Sequence, residues 1–278
     1  MESIITKKQN HKVLFGNVDT NRGKNLIDPP IQIPDDYYWL RDDKRNNEDV
    51  INHLNKENNY TESIMKDTDQ LRDTLFKEIK SHVKEDFDSY PIPHGNKGWN
   101  SDYYYFTRTL ENKSYPIHCR INKETNIEEI ILDENVLAEG KENFDLTSFS
   151  ITDDHQYISY GIDEVGNEKY QLKIINIISG KEIKHNIPEL AYCNYFWHNE
   201  NIFYSMGNET NRMYQIWKYN TENQENILIY QNDNDLVEVD LSRSNDKKYF
   251  FITANSYSTS DVYYFTDSDN EIKQFTEK

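Results

Sequence analysis

The feature that most restricts this chain of 278 residues is a repeat. The stretches FSITDDHQYISY (149–160), YFWHNENIFYS (195–205) and VDLSRSNDKKYFFIT (239–253) share one shape. Each is a strand pattern, a polar turn and a second, aromatic strand pattern. Asp154, Glu200 and Asp246 mark the three turns at successive intervals of 46 residues. Each unit continues with a third strand, a polar turn and a fourth strand. A four-stranded unit recurring every ~40–50 residues has the period of a β-propeller blade. The alternative is a β-sandwich, whose strands need not recur at a fixed interval, and the propeller is the preferred reading.

The strand grammar starts near Pro91. It predicts strands at 102–108, 116–122 and 128–132, then at 146–151, 156–162, 170–177 and 181–187. A third set falls at 192–197, 201–206, 214–220 and 226–230, and a fourth at 236–242, 247–253, 261–267 and 271–275. The count gives a partial first unit over about 99–135 and three fuller ones. A longer ring cut short would expose the apolar faces of its end blades. The expected fold is therefore mainly β, a partial β-propeller of about four blades of four-stranded antiparallel sheet, over 91–278.

Residues 1–90 read differently. Gly23, Pro29, Pro30 and Pro34 punctuate an irregular first 45 residues. The aromatic cluster Tyr37-Tyr38-Trp39-Leu40 must pack on something, because such a patch is costly to leave in water. A helix over 47–66 is predicted, capped by Asn46 or Asn47, with Glu48 and Asp49 at the positive end of its dipole. Val50, Ile51, Leu54, Thr61, Ile64 and Met65 roughly follow one face. A second helix over 68–84 carries Leu71, Leu75, Ile79 and Val83 at steps of four, widened by Phe76. Both stripes read as core.

Composition supports folding despite only 36% hydrophobic residues, because 13% are aromatic, with 21 Tyr, 12 Phe and 4 Trp. A tyrosine core packs better than its polarity suggests. The net charge of -18 repels nucleic acid and anionic membranes, and would attract cationic peptides. Cys119 and Cys193, 74 residues apart, have no metal spacing and read as buried free thiols. No secretory leader and no apolar run of membrane length is visible, so the cytoplasm is the expected compartment.

No catalytic, cofactor-binding or metal-ligating residue is assigned. The nine glycines include no pair four apart, which excludes a GxSxG nucleophile elbow. Gly161 and Gly166 are followed by Asn167, so there is no phosphate cradle, and HExxH is absent. Asp267-Ser268-Asp269-Asn270-Glu271 begins like a calcium loop, but Ile272 stands where glycine is needed. It reads as a hairpin turn, as does Asn232-Asp233-Asn234-Asp235. His82, His118 and His198 lack a nucleophile context. His118 and Cys119 are neighbours on a strand, point to opposite faces and cannot form a dyad.

Five segments in order resemble the N-terminal half of oligopeptidase B, in the prolyl oligopeptidase family of serine peptidases. They are DYYWLRDD (36–43), ENNYT (57–61), EIKSHVKE (78–85), LDENVLAEG (132–140) and DEVGNEKY (163–170). His82 and Val83 depart from the family's Arg and Ile. The resemblance implies a seven-bladed propeller that limits access to short peptides, an N-terminal segment wrapping onto a following α/β-hydrolase domain, and cleavage after Lys or Arg. It also implies that the Ser-Asp-His triad lies beyond these residues, so that no family catalytic position carries over. The expectation is a chain truncated before the catalytic domain and inactive alone, partnered by a separate hydrolase-domain chain or by itself. The alternative is a free-standing propeller module binding basic peptides or a protein partner. A third reading, an enzyme with an unrecognised site among the acidic turns, lacks a convergent acid, base and nucleophile.

Overall fold

The structure is a computed structural model that describes residues 4–18, 26–95, 98–267 and 269–275. Gly23 and Ser268 lie outside the described residues. The chain divides into two compact units, Met1–Lys84 and Glu85–Lys278.

In the first unit β1 (Lys12–Phe15) pairs antiparallel with β2 (Ile31–Pro34). The aromatic cluster finds partners close by. Trp39 Nε1 donates to the Lys7 carbonyl at 2.7 Å and its ring meets His53 edge-on, while Tyr38 stacks on His11 at 4.0 Å. Helix α1 (Glu48–Met65) begins where a cap was expected, with the Asn47 side chain accepting from Asp49 N at 3.0 Å. A short turn leads into α2 (Asp69–Ser81). The two apolar stripes are not core. Val50 alone is buried in α1 and no residue of α2 is buried, with Phe76 and Ile79 each 65% exposed. A helix stripe is buried only against a partner, and a single two-stranded ribbon has too little apolar surface to cover both.

Among the described residues the second unit contains four antiparallel sheets, three of them sequential meanders and the first a meander whose edge strand pairs two short segments. Blade 1 comprises β3 (Phe87–Asp88), β4 (Ile92–Pro93), β5 (Tyr103–Thr109), β6 (Ile117–Asn122) and β7 (Glu128–Asp133), with β3 and β4 both pairing β5. The short helix α3 (Glu134–Leu137) follows. Blade 2 comprises β8 (Asp145–Ile151), β9 (Tyr157–Asp163), β10 (Lys169–Asn176) and β11 (Leu190–Ala191). Blade 3 comprises β12 (Tyr195–His198), β13 (Asn201–Gly207), β14 (Met213–Asn220) and β15 (Asn226–Gln231). Blade 4 comprises β16 (Glu238–Arg243), β17 (Phe250–Asn255), β18 (Ser260–Thr266) and β19 (Asp269–Gln274).

Two details differ from the sequence reading. The first blade is not partial, because β3 and β4, before residue 99, both pair with β5 and complete the sheet at that edge. They escape notice because each is two residues long and Pro91 and Pro93 interrupt them. The segment 181–187 is not a strand. It makes one bridge, Ile175 with Glu182, and the fourth strand of blade 2 is the Leu190–Ala191 pair.

Side-chain alternation explains how the sheets stack. In β13, Ile202 and Tyr204 join the core shared with blade 2, whereas Phe203, between them, joins the core shared with blade 4. Gly161 in β9 is required by close approach. A Cβ there would lie 2.4 Å from Cys193 Sγ, leaving no room for any side chain.

Candidate functional site

Two families of turn build one end of blades 1–4. After the first strand of blades 2 and 4, Thr152-Asp153-Asp154-His155-Gln156-Tyr157 and Ser244-Asn245-Asp246-Lys247-Lys248-Tyr249 repeat one geometry. The first hydroxyl donates to the aspartate, from Thr152 to Asp154 at 2.6 Å and from Ser244 to Asp246 at 2.7 Å. The next residue is left-handed in both, at φ 61° for His155 and 60° for Lys247. Blade 3 makes the same connection with a shorter hairpin, in which His198 pairs with Asn201.

After the third strand an asparagine organises the turn in blades 1, 2 and 3. Asn122 Oδ1 accepts from Glu124 N and Thr125 N, Asn176 Oδ1 from Ser179 N, and Asn220 Oδ1 from Glu222 N and Asn223 N, all at 2.9–3.0 Å. The residue four places on, Asn126, Gly180 or Gln224, is left-handed in each. This asparagine signal is visible in the sequence but is diluted by the many other Asn residues.

These turns rim a cavity of about 580 Å³, within the range of small-ligand sites. Each blade contributes: His94 from blade 1, Asp153 and Tyr157 from blade 2, Trp197, Glu200 and Glu222 from blade 3, and Arg243 and Lys247 from blade 4. Lys247 forms an ion pair with Asp153 across the cavity, joining blade 4 to blade 2. Trp197 Nε1 donates to Ser159 Oγ at 2.5 Å, and the Trp197 and Tyr157 rings lie parallel at 6.5 Å. Arg243 donates to the Trp197 carbonyl and lies over the Phe196 ring at 5.0 Å. Burial lowers the Arg243 guanidinium from its ordinary pKa, with the charge of Asp153 opposing.

The histidines and thiols serve the packing. His118 Nε2 sits 2.7 Å from Glu134 Oε1, and its ring stacks on Phe149 at 4.0 Å, joining blade 1 to blade 2. Cys119 and Cys193 are fully buried, and burial pushes their thiols up to about 11 and about 12, so neither is a nucleophile. Asp267 is held by Lys218 at 2.7 Å. In the other acidic turn Asn232 and Asn234 side chains accept from backbone N–H groups two residues on. Among the described residues no group of three or more His, Cys, Asp or Glu is placed to hold a metal ion.

The motif residues that carry the resemblance have structural work. Asp163 accepts from Val165 N, Gly166 N and Glu168 N at 2.7–2.8 Å. Burial would raise its carboxyl, but these donors outweigh burial and hold it below its ordinary value. At the end of the same motif Tyr170 donates to Asp145 at 2.6 Å. Asp133 caps α3 through Asn135 N, and Asn135 Nδ2 donates to the Tyr115 carbonyl at 2.8 Å.

Four stacked four- or five-stranded sheets with these turns define a β-propeller. Residues 11–277 match the family described as prolyl oligopeptidase, N-terminal beta-propeller domain, and the chain belongs to that family. Within it the likeness is to the oligopeptidase B branch. The structure of oligopeptidase B from Leishmania major is 28% identical, with a TM-score of 0.85 over 99% of this chain and 39% of that one. Oligopeptidase B from Trypanosoma brucei with covalently bound antipain gives 28% and 0.81 over 98% and 39%. Protease 2 of Moraxella lacunata is 28% identical over 86% of this chain and 35% of its own length. The chain thus spans about a third of the curated relatives it matches. No helix among the described residues is long and apolar enough to cross a membrane.

Proposed function

We propose that these residues are the non-catalytic propeller portion of an oligopeptidase B-like serine peptidase. In the whole protein the propeller would restrict entry to short peptides, which the hydrolase cuts after Lys or Arg. The observation that carries this reading is the match to oligopeptidase B along 99% of the chain. The 278 residues include no GxSxG, and acyl transfer without nucleophile, base and oxyanion donors loses nearly all its rate enhancement. In this reading these residues alone supply no peptidase activity, and the catalytic groups come from a hydrolase domain with which the propeller works. Two buried free thiols fit a reducing, cytoplasmic setting.

The test is a fluorogenic Arg or Lys substrate offered to the purified chain. No turnover is expected. Turnover abolished by a serine-directed inhibitor overturns the proposal. A second reading, a free-standing module for basic peptides, is favoured by the net charge of -18. It requires binding that weakens steeply from low to high salt.

A further inference from the structure

The charges around the cavity are sorted by depth. Arg243 is half-buried, and among the described residues its guanidinium has no carboxylate within ion-pair distance. Among the described residues its one side-chain hydrogen bond goes to the Trp197 carbonyl, which leaves most of its five donors uncommitted. Lys247 is 22% exposed and already paired with Asp153. Glu200 and Glu222 are exposed at the rim, and among the described residues neither carboxylate has a hydrogen-bond or ion-pair partner. Asp154 is committed to its turn, accepting from Thr152 Oγ1 and Gln156 N. The inner wall is thus cationic and aromatic, and the mouth is anionic.

A desolvated guanidinium with free donors is costly unless a carboxylate or similar anion meets it. Arg presents a planar fork that matches a carboxylate, and such charge-assisted pairs are the strong ones. We infer that this cavity binds the C-terminal end of a short peptide, its α-carboxylate on Arg243 and a basic side chain at Glu200 and Glu222. Trp197 and Tyr157 give the peptide's apolar stem a wall to lie on. A bare anion such as phosphate satisfies Arg243 but is repelled by the acidic mouth, whereas a zwitterion satisfies both. The inference stands on the cavity and does not depend on the presence of a hydrolase partner.

The experiment is calorimetric titration of the purified chain with Ala-Ala-Lys, its C-terminal amide, Ala-Ala-Ala and inorganic phosphate. The free acid is expected to bind about tenfold or more tightly than the amide, the size of one charge-assisted contact. The substitution R243Q should abolish that difference. Because Arg243 also holds Trp197, the exposed pair E200Q/E222Q supplies a variant with no bearing on folding. It should remove the preference for Ala-Ala-Lys over Ala-Ala-Ala and leave the preference for acid over amide. Equal binding of acid and amide, phosphate binding as tightly as the peptide, or no binding of Ala-Ala-Lys at millimolar concentration overturns the inference.

Discussion

The seam between blades 3 and 4 is centred on a stack of phenylalanines, with ion pairs and hydrogen bonds such as Lys218–Asp267 at its margin, whereas a histidine-bearing polar relay runs through the seam between blades 1 and 2. Blades 3 and 4 meet through phenylalanines. Phe203 and Phe250 stack at 4.7 Å, Phe250 lies 5.1 Å from Phe265, and Phe196 joins at 5.5 Å from Phe250. Blades 1 and 2 share an apolar cluster around Tyr105, Ile151 and Ile158, but a polar relay crosses beside it. Tyr105 Oη sits 2.9 Å from His155 Nδ1, Arg120 donates to the His155 carbonyl at 3.1 Å, and His94 Nε2 sits 2.7 Å from the Ile151 carbonyl. The aromatic seam depends on area and contact, whereas the polar one depends on geometry and protonation state. One propeller thus holds adjacent blades together in two ways that respond to different perturbations.

Removing the centre of the aromatic seam is the largest expected effect. Phe250 is 0% exposed and touches three other phenylalanines. The change Phe250→Ala should destabilise the second unit by about 3–5 kcal/mol, read from urea unfolding followed by tryptophan fluorescence. A loss under 1 kcal/mol would mean that the seam is not a working core. The equivalent truncation at Tyr105 should cost less, because that ring sits beside polar neighbours that water can serve.

A medium effect tests close approach within blade 2 and its boundary with blade 3. The change Gly161→Ala sets a methyl against Cys193 Sγ, and overpacking of this kind costs about 1–3 kcal/mol. In a Cys193→Ala background the cost should shrink, because the colliding sulfur is gone. Additive losses in the double variant would show that some other contact is responsible.

The contrast between the seams also marks what the chain's letters disclose. The aromatic seam was legible, since Phe203 and Phe250 sit in strands whose alternation and 46-residue spacing announce them. The strand pairs of blades 3 and 4 fall within a few residues of expectation. The polar relay was not legible, because His94, Arg120 and His155 are scattered over 62 residues and meet only once two sheets have stacked. The cavity was hidden for the same reason, since each of the four blades contributes to it. Helical periodicity misled in α2. The stripe Leu71, Leu75, Ile79 records which residues share a face, but not whether anything covers that face. The short strands β3, β4 and β11 have too few residues to show a period of two.

The smallest effect is a pH dependence assigned to the polar seam. Burial lowers His94 below its ordinary pKa, opposed by its bond to Ile151 and by Asp153, while Lys247 and Arg243 push the same way as burial. Burial likewise lowers His155, reinforced by His94 and Arg120 and opposed by Asp102 and Asp154. Tyr105, raised to about 12 mainly by burial, keeps its proton throughout. Each histidine is therefore held neutral in the fold yet free to take up a proton once unfolded, where its pKa is about 6.5. Below that pH the unfolded state binds more protons, so stability is full above about 6.5 and declines as pH falls toward the lower folded values. Thermal unfolding between pH 8 and pH 5 should show this decline, and His155→Gln should flatten it while Phe250→Ala leaves its slope unchanged. Burial also lowers His185, which follows the third strand of blade 2, and His198, on the aromatic side. A slope untouched by both His94→Gln and His155→Gln but flattened by His198→Gln would place the effect in blades 3 and 4 and refute the division of labour between the seams.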